Sequence, residues 1–314
     1  MPVTISAVSS GETSDSISAT SVLYWQIDSG GTAIDMTIFS GGTAFVMGTA
    51  NGTTVLSGGL LHDGGVESGT IVSSGGTQLV DESGPPAKLG SAFATTIYSG
   101  GYQDVTSGCF VTGTIFSGGV QNVSSGAVVS GADVTDGFQV VFSGGLTVST
   151  TVGSGFYEIV SSGGTASGTH VESGGTIEVF SGATLSGPTT YESGGRLELG
   201  SGAADSGEVV ASGFILEVNS GGTATGTILG SGGHLYVLSG GIISGTVFSG
   251  GHEDIFSGAG VDDETVSNGI QNISSGGSAL GTDVLGGSIE FVLGGTAINA
   301  FLSGGHLVPT FLGP

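Results

Sequence analysis

The sequence predicts an all-β fold, a single parallel β-helix (β-solenoid) of about 17 coils with about 18–19 residues in each coil. Three observations support this prediction. Glycine accounts for 66 of the 314 residues, which disfavours helices because each glycine costs about 1 kcal/mol relative to alanine in a helix. A Ser-Gly-Gly motif recurs along the chain at alternating short and long intervals, and an apolar position recurs with it.

The composition is strongly acidic, with 26 Asp and Glu residues against two basic residues, Lys88 and Arg196, and a formal net charge of −24. Such a chain cannot form the cationic surface that binds nucleic acid phosphates, and anionic lipid would repel it. No apolar stretch approaches the length of about 18 residues that a membrane helix needs. We therefore expect no nucleic acid partner and no membrane insertion.

The repeat begins close to the first residue and is looser over the first part of the chain. Val3, Ile5 and Val8 alternate with other residues before Ser10, which is the first repeat marker. Residues 84–96, which include Pro85 and Lys88, lengthen one interval, and we predict that they form a loop excursion from the solenoid. The solenoid itself is predicted to be one continuous domain over residues 1–314.

The most regular part of the repeat lies between Ser99 and Ser303, where the motif recurs in steps of 7–8 and 10–12 residues. Each short arm is rich in β-branched residues, ends at a glycine and contains an apolar residue three positions before that glycine, which is the pattern of a strand followed by a turn. This predicted inward column contains Val105, Val123, Val179, Leu199, Val218, Val237, Ile255, Ile273 and Phe291. Stacked coils would bury it, and we expect a right-handed helix because crossovers between parallel strands are right-handed.

The end of the chain departs from the repeat, and residues 307–314 are predicted to form a non-repetitive tail. A solenoid exposes unpaired strand edges at its ends, and polar caps usually cover them. Neither terminal segment contains such a cap. The sequence therefore predicts that copies of the chain stack head to tail through apolar residues at the two ends: Val3, Ile5, Val8, Leu307, Val308 and Phe311.

A polar column adjoins the inward column and is predicted to face outward, because successive side chains of a strand alternate between its two faces. It contains Asp104, Asn122, Glu178, Glu198, Glu217, Asp254, Asn272 and Glu290. Glu178, Glu198 and Glu217 belong to consecutive coils, where their carboxylates would lie about 5 Å apart. They form either a ladder bridged by a divalent cation such as Ca²⁺ or a solvated face that prevents sideways aggregation, and we favour the solvated face.

Two further sets of polar residues are candidate sites. His234 and His252 are 18 positions apart at the same corner, so they should stack as a surface pair or, less favourably, hold a metal ion. Gln121 and Asn122 could pair with amides of a second copy lying side by side. No other cofactor is expected, because the chain lacks a cysteine cluster and a clustered catalytic set.

The repeat resembles that of the AIDA-type adhesins, which are self-associating autotransporter passengers of bacteria. The resemblance rests on the segment from Ser117 to Ser125, on the Ser-Gly-Gly-Thr-Ala-Ser-Gly-Thr run that starts at Ser162 and on the similar run that starts at Ser220. It implies a rod-forming surface protein that mediates adhesion, aggregation or biofilm formation. Residues 1–314 contain no translocator barrel with alternating strands, so we expect this chain to depart from the family pattern.

These observations predict an extracellular or bacterial cell-surface protein with a structural and adhesive role. We expect it to act by self-association, head to tail or side by side, and not as an enzyme. The alternative is a carbohydrate-binding or carbohydrate-active β-helix that contacts cell-surface glycans through the acidic face or through Tyr102, Phe138 and Phe156. Such a protein needs a cleft walled by a long loop, and residues 84–96 are the candidate for that loop.

Overall fold

A computed structural model describes residues 4–21, 23–83 and 88–309 of the chain. It confirms the predicted fold, because the described residues form an all-β parallel β-solenoid of about 16 turns without a helix. Strands of successive turns pair in parallel, as Val123 pairs with Val141 one turn later. The right-handed sense stays a prediction.

By compactness the chain divides into two units, Met1–His170 with Thr184–Thr190, and Val171–Ala183 with Tyr191–Pro314. In each unit a turn consists of three short strands, so every unit presents three parallel sheets, which we name A1, B1 and C1 in the first unit and A2, B2 and C2 in the second. The prediction of one continuous solenoid over residues 1–314 stays a prediction.

The first unit contains the following strands. Sheet A1 consists of β1 (Thr4–Val8), β4 (Leu23–Ile27), β7 (Thr43–Val46), β10 (Leu60–Asp63), β13 (Thr77–Val80), β18 (Tyr102–Val105), β21 (Gly119–Val123), β24 (Gly137–Val141) and β27 (Tyr157–Val160). Sheet B1 consists of β2 (Thr13–Asp15), β5 (Thr32–Ile34), β8 (Thr49–Asn51), β11 (Val66–Ser68), β16 (Ser91–Phe93), β19 (Phe110–Thr112), β22 (Val128–Ser130), β25 (Leu146–Val148), β28 (Thr165–Ser167) and β31 (Thr184–Ser186). Sheet C1 consists of β3 (Ser18–Ala19), β6 (Thr37–Ile38), β9 (Thr54–Val55), β12 (Ile71–Val72), β17 (Thr96–Tyr98), β20 (Ile115–Ser117), β23 (Asp133–Val134), β26 (Thr151–Val152), β29 (His170–Val171) and β32 (Thr190–Tyr191).

The second unit repeats the arrangement. Sheet A2 consists of β30 (Thr176–Val179), β33 (Arg196–Leu199), β36 (Ile215–Val218), β39 (His234–Val237), β42 (His252–Ile255), β45 (Ile270–Ser274), β48 (Ile289–Leu293) and β51 (His306–Pro309). Sheet B2 consists of β34 (Ala204–Ser206), β37 (Thr223–Thr225), β40 (Ile242–Ser244), β43 (Gly260–Asp262), β46 (Ser278–Leu280) and β49 (Thr296–Ile298). Sheet C2 consists of β35 (Val209–Val210), β38 (Ile228–Gly230), β41 (Val247–Ser249), β44 (Thr265–Val266), β47 (Asp283–Leu285) and β50 (Phe301–Ser303).

The interior of each unit is built from columns of inward side chains, one residue per turn. Val105, Val123 and Val141 in sheet A1, and Val237, Ile255 and Ile273 in sheet A2, are all fully buried. Burying an aliphatic side chain of this size stabilises the fold by about 1.5–3 kcal/mol. Because each column continues through many turns, the apolar core of each unit is a continuous stack of side chains.

The predicted loop excursion, residues 84–96, contains short strands in its C-terminal part. A two-residue strand, β14 (Glu82–Ser83), pairs in antiparallel fashion with β15 (Lys88–Leu89). Ser91–Phe93 is β16, which pairs with β11 and β19 in sheet B1, so the chain has rejoined the repeat by residue 91. Residues 91–93, which the prediction placed in the excursion, thus belong to a regular strand, Lys88–Leu89 belongs to a hairpin, and residues 84–87 lie outside the described residues, so the loop itself stays a prediction.

The corners of the turns hold glycines whose surroundings differ. Gly137 has a φ of 117°, and a methyl group there would lie 2.1 Å from the carbonyl oxygen of Gly119. Gly155 has a φ of 84°, but a methyl group there would meet no atom within 4 Å. Positive φ is a conformation that glycine adopts without steric cost, and at Gly137 the close approach of the neighbouring turn adds a second requirement.

Candidate interaction surfaces and interior polar groups

The acidic residues predicted to form a ladder do lie side by side in sheet A2. Glu178 in β30 is the register partner of Glu198 in β33, which is in turn the partner of Glu217 in β36. Arg196, the first residue of β33, lies with its Nη1 atom 2.5 Å from Glu217 Oε2 and 3.6 Å from Glu198 Oε1. One of the two basic residues of the chain thus already supplies a cation to the ladder.

The electrostatics of this ladder follow from its half-buried position. Burial raises the pKa of Glu178, and the neighbouring Glu217 carboxylate raises it further. Burial also raises the pKa of Glu198, and Glu217 adds to this effect while Arg196 opposes it. Within the described ranges, no group of three or more His, Cys, Asp or Glu residues is arranged to hold a metal ion. The cation-bridged form of the ladder stays a prediction.

The two histidines also meet as predicted by their spacing. His234 begins β39 and His252 begins β42, the two residues are register partners, and their ring centroids lie 5.8 Å apart. His252 Nε2 lies 3.2 Å from Asp254 Oδ1, and Asn272 Nδ2 lies 2.9 Å from the same ring nitrogen. Asn272 also donates a hydrogen bond of 2.7 Å to Asp254 Oδ1. The ring of His252 is therefore held by its own strand and by the next one, while a metal at this pair stays a prediction.

A shallow groove of about 170 Å³ adjoins the histidine pair. Five of the residues that line it are glycines, which contribute only backbone atoms: Gly232, Gly233, Gly250, Gly251 and Gly269. The side chains that line it are His234, His252, Asn268 and Ile270.

The structure separates Gln121 from Asn122, which the sequence proposed together for side-by-side association. Gln121 is fully buried, donates to Gln103 Oε1 and Thr114 Oγ1 through its Nε2 atom, and accepts a 2.6 Å hydrogen bond from Gln139 Nε2. It is inside the fold and not on a face that a second copy can reach, which corrects its proposed role. Asn122 does face outward and donates a 2.6 Å hydrogen bond to Asp104 Oδ1.

Glu290 and Phe291 exchange the sides that the sequence predicted for them. In β48, Glu290 pairs with buried Gln271 and is itself fully buried, whereas Phe291 pairs with outward-facing Asn272. The prediction counted positions back from the closing glycine, and this turn closes one residue earlier than the turn before it. The strand therefore shifts by one position relative to the count, and a shift of one residue reverses the face of every side chain.

The predicted end residues fall in different places. Val8 is only 2% exposed and packs in the hydrophobic core, so it is not an end contact as predicted. Ile5 lies in β1, whose backbone pairs with β4, and Val3 and Phe311 lie outside the described residues. Leu307 and Val308 belong to β51, which pairs with β48, so residues 307–309 of the predicted tail form a strand. Leu307 is partly exposed and Val308 is 36% exposed.

Among the described residues, the last turn of sheet C2 exposes a column that the earlier turns of that sheet bury. In sheet C2 the inward residues Val210, Leu229, Phe248, Val266 and Val284 are at most 1% exposed, whereas the next member, Leu302, is 49% exposed. Leu302 is the register partner of Val284, so it belongs to the same column. On the outer face of the same sheet, a second apolar column is exposed along several turns, and it contains Val209, Ile228 and Val247.

The sequence analysis missed the polar residues inside the fold. Two positions before the inward aliphatic residue of sheets A1 and A2, the interior holds Gln78, Gln103, Gln121, Gln139, Glu158, Glu253, Gln271 and Glu290. A facing column is mostly threonine, as in Thr95, Thr114 and Thr150, whose hydroxyl groups donate to these glutamines. The signal was present, because the alternation that buries Val123 also buries the residue two positions earlier.

Burial changes the acidity of these interior carboxyl groups. It raises the pKa of Glu67 to about 7, against hydrogen bonds from Thr70 and Thr53 that lower it. It also raises the pKa of Glu158, whose oxygens accept hydrogen bonds of 2.6 Å from Thr147 and 2.7 Å from Thr169. Asp63 is raised well above its ordinary pKa by burial and by the nearby Glu67 carboxylate.

Comparison with known proteins adds little to this picture. No protein-family model matches the chain, and no curated protein matches its sequence. Among solved structures, the chain is similar to a crystal structure of a TibC-catalysed, hyper-glycosylated TibA fragment. The two share 29% sequence identity with a TM-score of 0.47, over 98% of this chain and 92% of that one. At this TM-score the similarity by itself assigns no function to the chain. The described residues also contain no helix that is long and apolar enough to cross a membrane.

Proposed function

We propose that this protein is a structural and adhesive β-solenoid that associates with copies of itself end to end, outside the cell or on a bacterial surface, without catalysis. The observation that supports the proposal is the exposure of Leu302 in the last turn that the structure describes. Leu302 continues a buried column but is half exposed, and β49, β50 and β51 are the last described strands of their sheets. A second copy is the occupant that we assign to this edge.

The physical chemistry of a strand edge favours such an occupant. The edge of a parallel sheet presents unpaired N–H and C=O groups, which act as a template for another strand. In the first unit, the first described strands β1, β2 and β3 pair in parallel with β4, β5 and β6, so a strand of a second copy could pair with them in the same way. A contact between two different ends is heterologous, so it propagates into a filament unless the rotation closes a ring.

The charge of the chain favours association at the ends over association at the sides. The net charge is −24, and half-buried acids such as Glu178 and Glu198 lie on the outer face of sheet A2. Like charges on two such faces repel each other when the copies lie side by side. Lysines and arginines number only two in the whole chain, which leaves few sites for trypsin-like proteases and suits an extracellular material.

The test compares two variants that place the same charge on matched residues. Leu302 and Val247 are both in sheet C2 and are 49% and 48% exposed, but Leu302 belongs to the inward column at the last turn and Val247 to the outer face of an earlier turn. We expect the unmodified chain to form unbranched fibres in negative-stain electron microscopy. Leu302→Lys should abolish the fibres, and Val247→Lys should leave them unchanged.

Each result has one meaning for the proposal. Loss of fibres in Val247→Lys with retention in Leu302→Lys would establish lateral association and overturn the end-to-end contact. Monodisperse single particles of the unmodified chain, with and without Ca²⁺, would overturn self-association altogether. Circular dichroism of both variants shows whether they are still folded. Carbohydrate binding remains the alternative function, and binding of soluble oligosaccharides by non-assembling particles would favour it.

A further inference from the structure

A cluster of buried acids lies in the second unit, close to the last turn. Glu253 in β42, Gln271 in β45 and Glu290 in β48 are successive register partners in the inward polar column of sheet A2. Glu264 lies immediately before β44, and the equivalent residues of the neighbouring turns are Thr227, Thr246 and Thr282. All of these side chains are at most 1% exposed. An acid has therefore replaced a threonine at the point where the two columns face each other.

The hydrogen bonds of the cluster cannot satisfy three ionised carboxylates. Gln271 Nε2 donates to Glu253 Oε2 at 2.8 Å and also to Glu264 Oε2. Within the described protein, Glu253 Oε1, Glu264 Oε1 and both carboxyl oxygens of Glu290 accept no hydrogen bond. An unpaired carboxylate buried in this way is strongly disfavoured, whereas a protonated carboxyl supplies a donor of its own.

The first unit shows that the fold does not need acids at these positions. There Gln121 Nε2 donates to the Gln103 carbonyl oxygen and to the Thr114 hydroxyl, which occupy the places that Glu253 and Glu264 take around Gln271. An amide and a hydroxyl therefore complete the same network with no titratable group. The second unit has exchanged that neutral pair for two carboxyl groups.

The charged neighbours of the cluster are acidic. Burial raises the pKa of Glu264 well above its ordinary value, and the adjacent Glu253 raises it further. Burial raises the pKa of Glu253 to about 7, opposed by hydrogen bonds from Gln271 and Glu264 and assisted by Asp254. Burial alone raises the pKa of Glu290 to about 6. The other strands packed here contribute neutral groups: Leu235 from β39, Thr246 before β41 and Thr282 before β47.

We propose that Glu253, Glu264 and Glu290 are a proton-binding site that makes the last turns of the protein close in mild acid and loosen in mild alkali, and that end-to-end assembly follows the same dependence. The second part rests on the proposed function, because β48 and its neighbours pair with the strands of the open edge. Loss of protons places like charges in an apolar interior, so the turns that contain β42, β45 and β48 open locally before the rest of the fold.

The experiment is hydrogen exchange followed by mass spectrometry on the dilute, unassembled chain between pH 5.5 and pH 8, corrected for the intrinsic pH dependence of exchange. We expect protection in peptides covering residues 252–293 to fall by at least about tenfold, the factor that corresponds to one pKa unit. The double variant Glu253→Gln/Glu264→Thr rebuilds the neutral network of the first unit and should lose most of this fall. Glu158→Gln, a buried acid of the first unit, should leave the fall in these peptides unchanged.

The outcomes separate the two parts of the proposal. Protection that does not change with pH, or a double variant that keeps the full fall, would overturn the proton-binding site. If the double variant does not fold, the single variant Glu264→Gln gives the same comparison. For assembly, fibres of the unmodified chain should be present at pH 5.5 and lost at pH 8, and the double variant should keep them at both. Fibres of the unmodified chain that persist at both pH values would overturn only the link between proton binding and assembly. Absence of fibres at every pH would overturn the proposed function without affecting the result of hydrogen exchange.

Discussion

At the scale of single residues, the interior of this protein is partly polar, and in the first unit its buried glutamines are linked by hydrogen bonds. Gln78, Gln103, Gln121 and Gln139 form a chain in which the amide nitrogen of each of the last three donates to the carbonyl oxygen of the glutamine one turn earlier. Such a ladder links successive turns by side chains as well as by backbone. Removing Gln121 leaves the amide nitrogen of Gln139 without its acceptor in a buried place, which is costlier than the loss of one hydrogen bond.

Gln121→Ala should therefore destabilise the fold by about 2–4 kcal/mol, through a cavity and through the amide nitrogen of Gln139, which loses its acceptor. Asn122→Ala is the matched control, since Asn122 is the next residue but faces outward, and it should cost less than about 1 kcal/mol. Urea unfolding of both variants measures the difference. Equal costs would show that the ladder adds nothing beyond a surface amide.

The residue scale is also where sequence-based reasoning succeeded least. Alternation along a strand correctly buried Val123 and exposed Asn122, but the same rule applied one step further would have buried Gln121 as well. The polar character of Gln121 suggested a position on the protein surface. The neighbouring column of threonines, whose hydroxyl groups form hydrogen bonds with the buried glutamine amides, was not recognised. Glu290 was assigned to the wrong face because its turn closes one residue earlier relative to the strand than the preceding turn does, which only the register reveals.

At the scale of elements, strands of two to five residues are held by the corners that connect them. Gly137→Ala should destabilise the fold by more than about 3 kcal/mol, because the added methyl group meets the Gly119 carbonyl oxygen of the adjacent turn. Gly155→Ala shares the positive φ but has open space, so it should cost only about 1–2 kcal/mol. Thermal unfolding of the two variants checks the order, and a larger cost at Gly155 would contradict it.

The stability of the strands that carry the acidic ladder should depend on Arg196, and this dependence should be weaker at high salt concentration. Arg196→Gln removes the cation that lies between Glu198 and Glu217, and it should lower stability by about 1 kcal/mol in low salt and by less in high salt, where repulsion is screened. Arg196→Lys keeps the charge and should recover most of the loss. If Ca²⁺ raises the melting temperature of Arg196→Gln more than that of the unmodified chain, the ladder can take a divalent cation, and an equal response would leave the solvated face.

At the scale of the whole molecule, the fold was predictable because the same pattern of glycines and apolar residues recurs about every 18–19 residues along the chain. An error at a single position such as Glu290 does not change the fold that the pattern of many turns indicates. The interaction sites were less predictable, since Val8 is enclosed by neighbouring strands and Leu302, which is half exposed, looks like any other core leucine in the sequence. Which turn lies at an edge is a property of the assembled fold and not of the local pattern.

The interior acids predict an unusual response of the whole molecule to pH. For Glu67 and Glu253 the folded-state pKa is raised from 4.5 to about 7, so the folded state binds protons more tightly than the unfolded state. Stability is therefore greatest below about pH 4.5 for these groups and falls as pH rises towards about 7, by about 3 kcal/mol for one fully buried carboxyl.

The melting temperature should accordingly be higher at pH 5 than at pH 8. Because the net charge of −24 also repels more strongly at high pH, the measurement is repeated in about 0.5 M salt, which screens surface charges but not buried ones. The fall should persist in high salt. A melting temperature that no longer varies with pH under that condition would assign the effect to surface repulsion.

The spacing of the backbone pairs has a consequence for how such a chain is made. Each strand pairs with the strand one turn later, as Phe138 in β24 pairs with Tyr157 in β27, so nearly every contact joins residues about one repeat apart in the sequence. A newly made segment finds its partners in the turn completed just before it and needs nothing from residues still to come. Folding can therefore advance in step with synthesis or with passage through a narrow pore. The strands of each finished turn provide the edge on which the strands of the next turn pair.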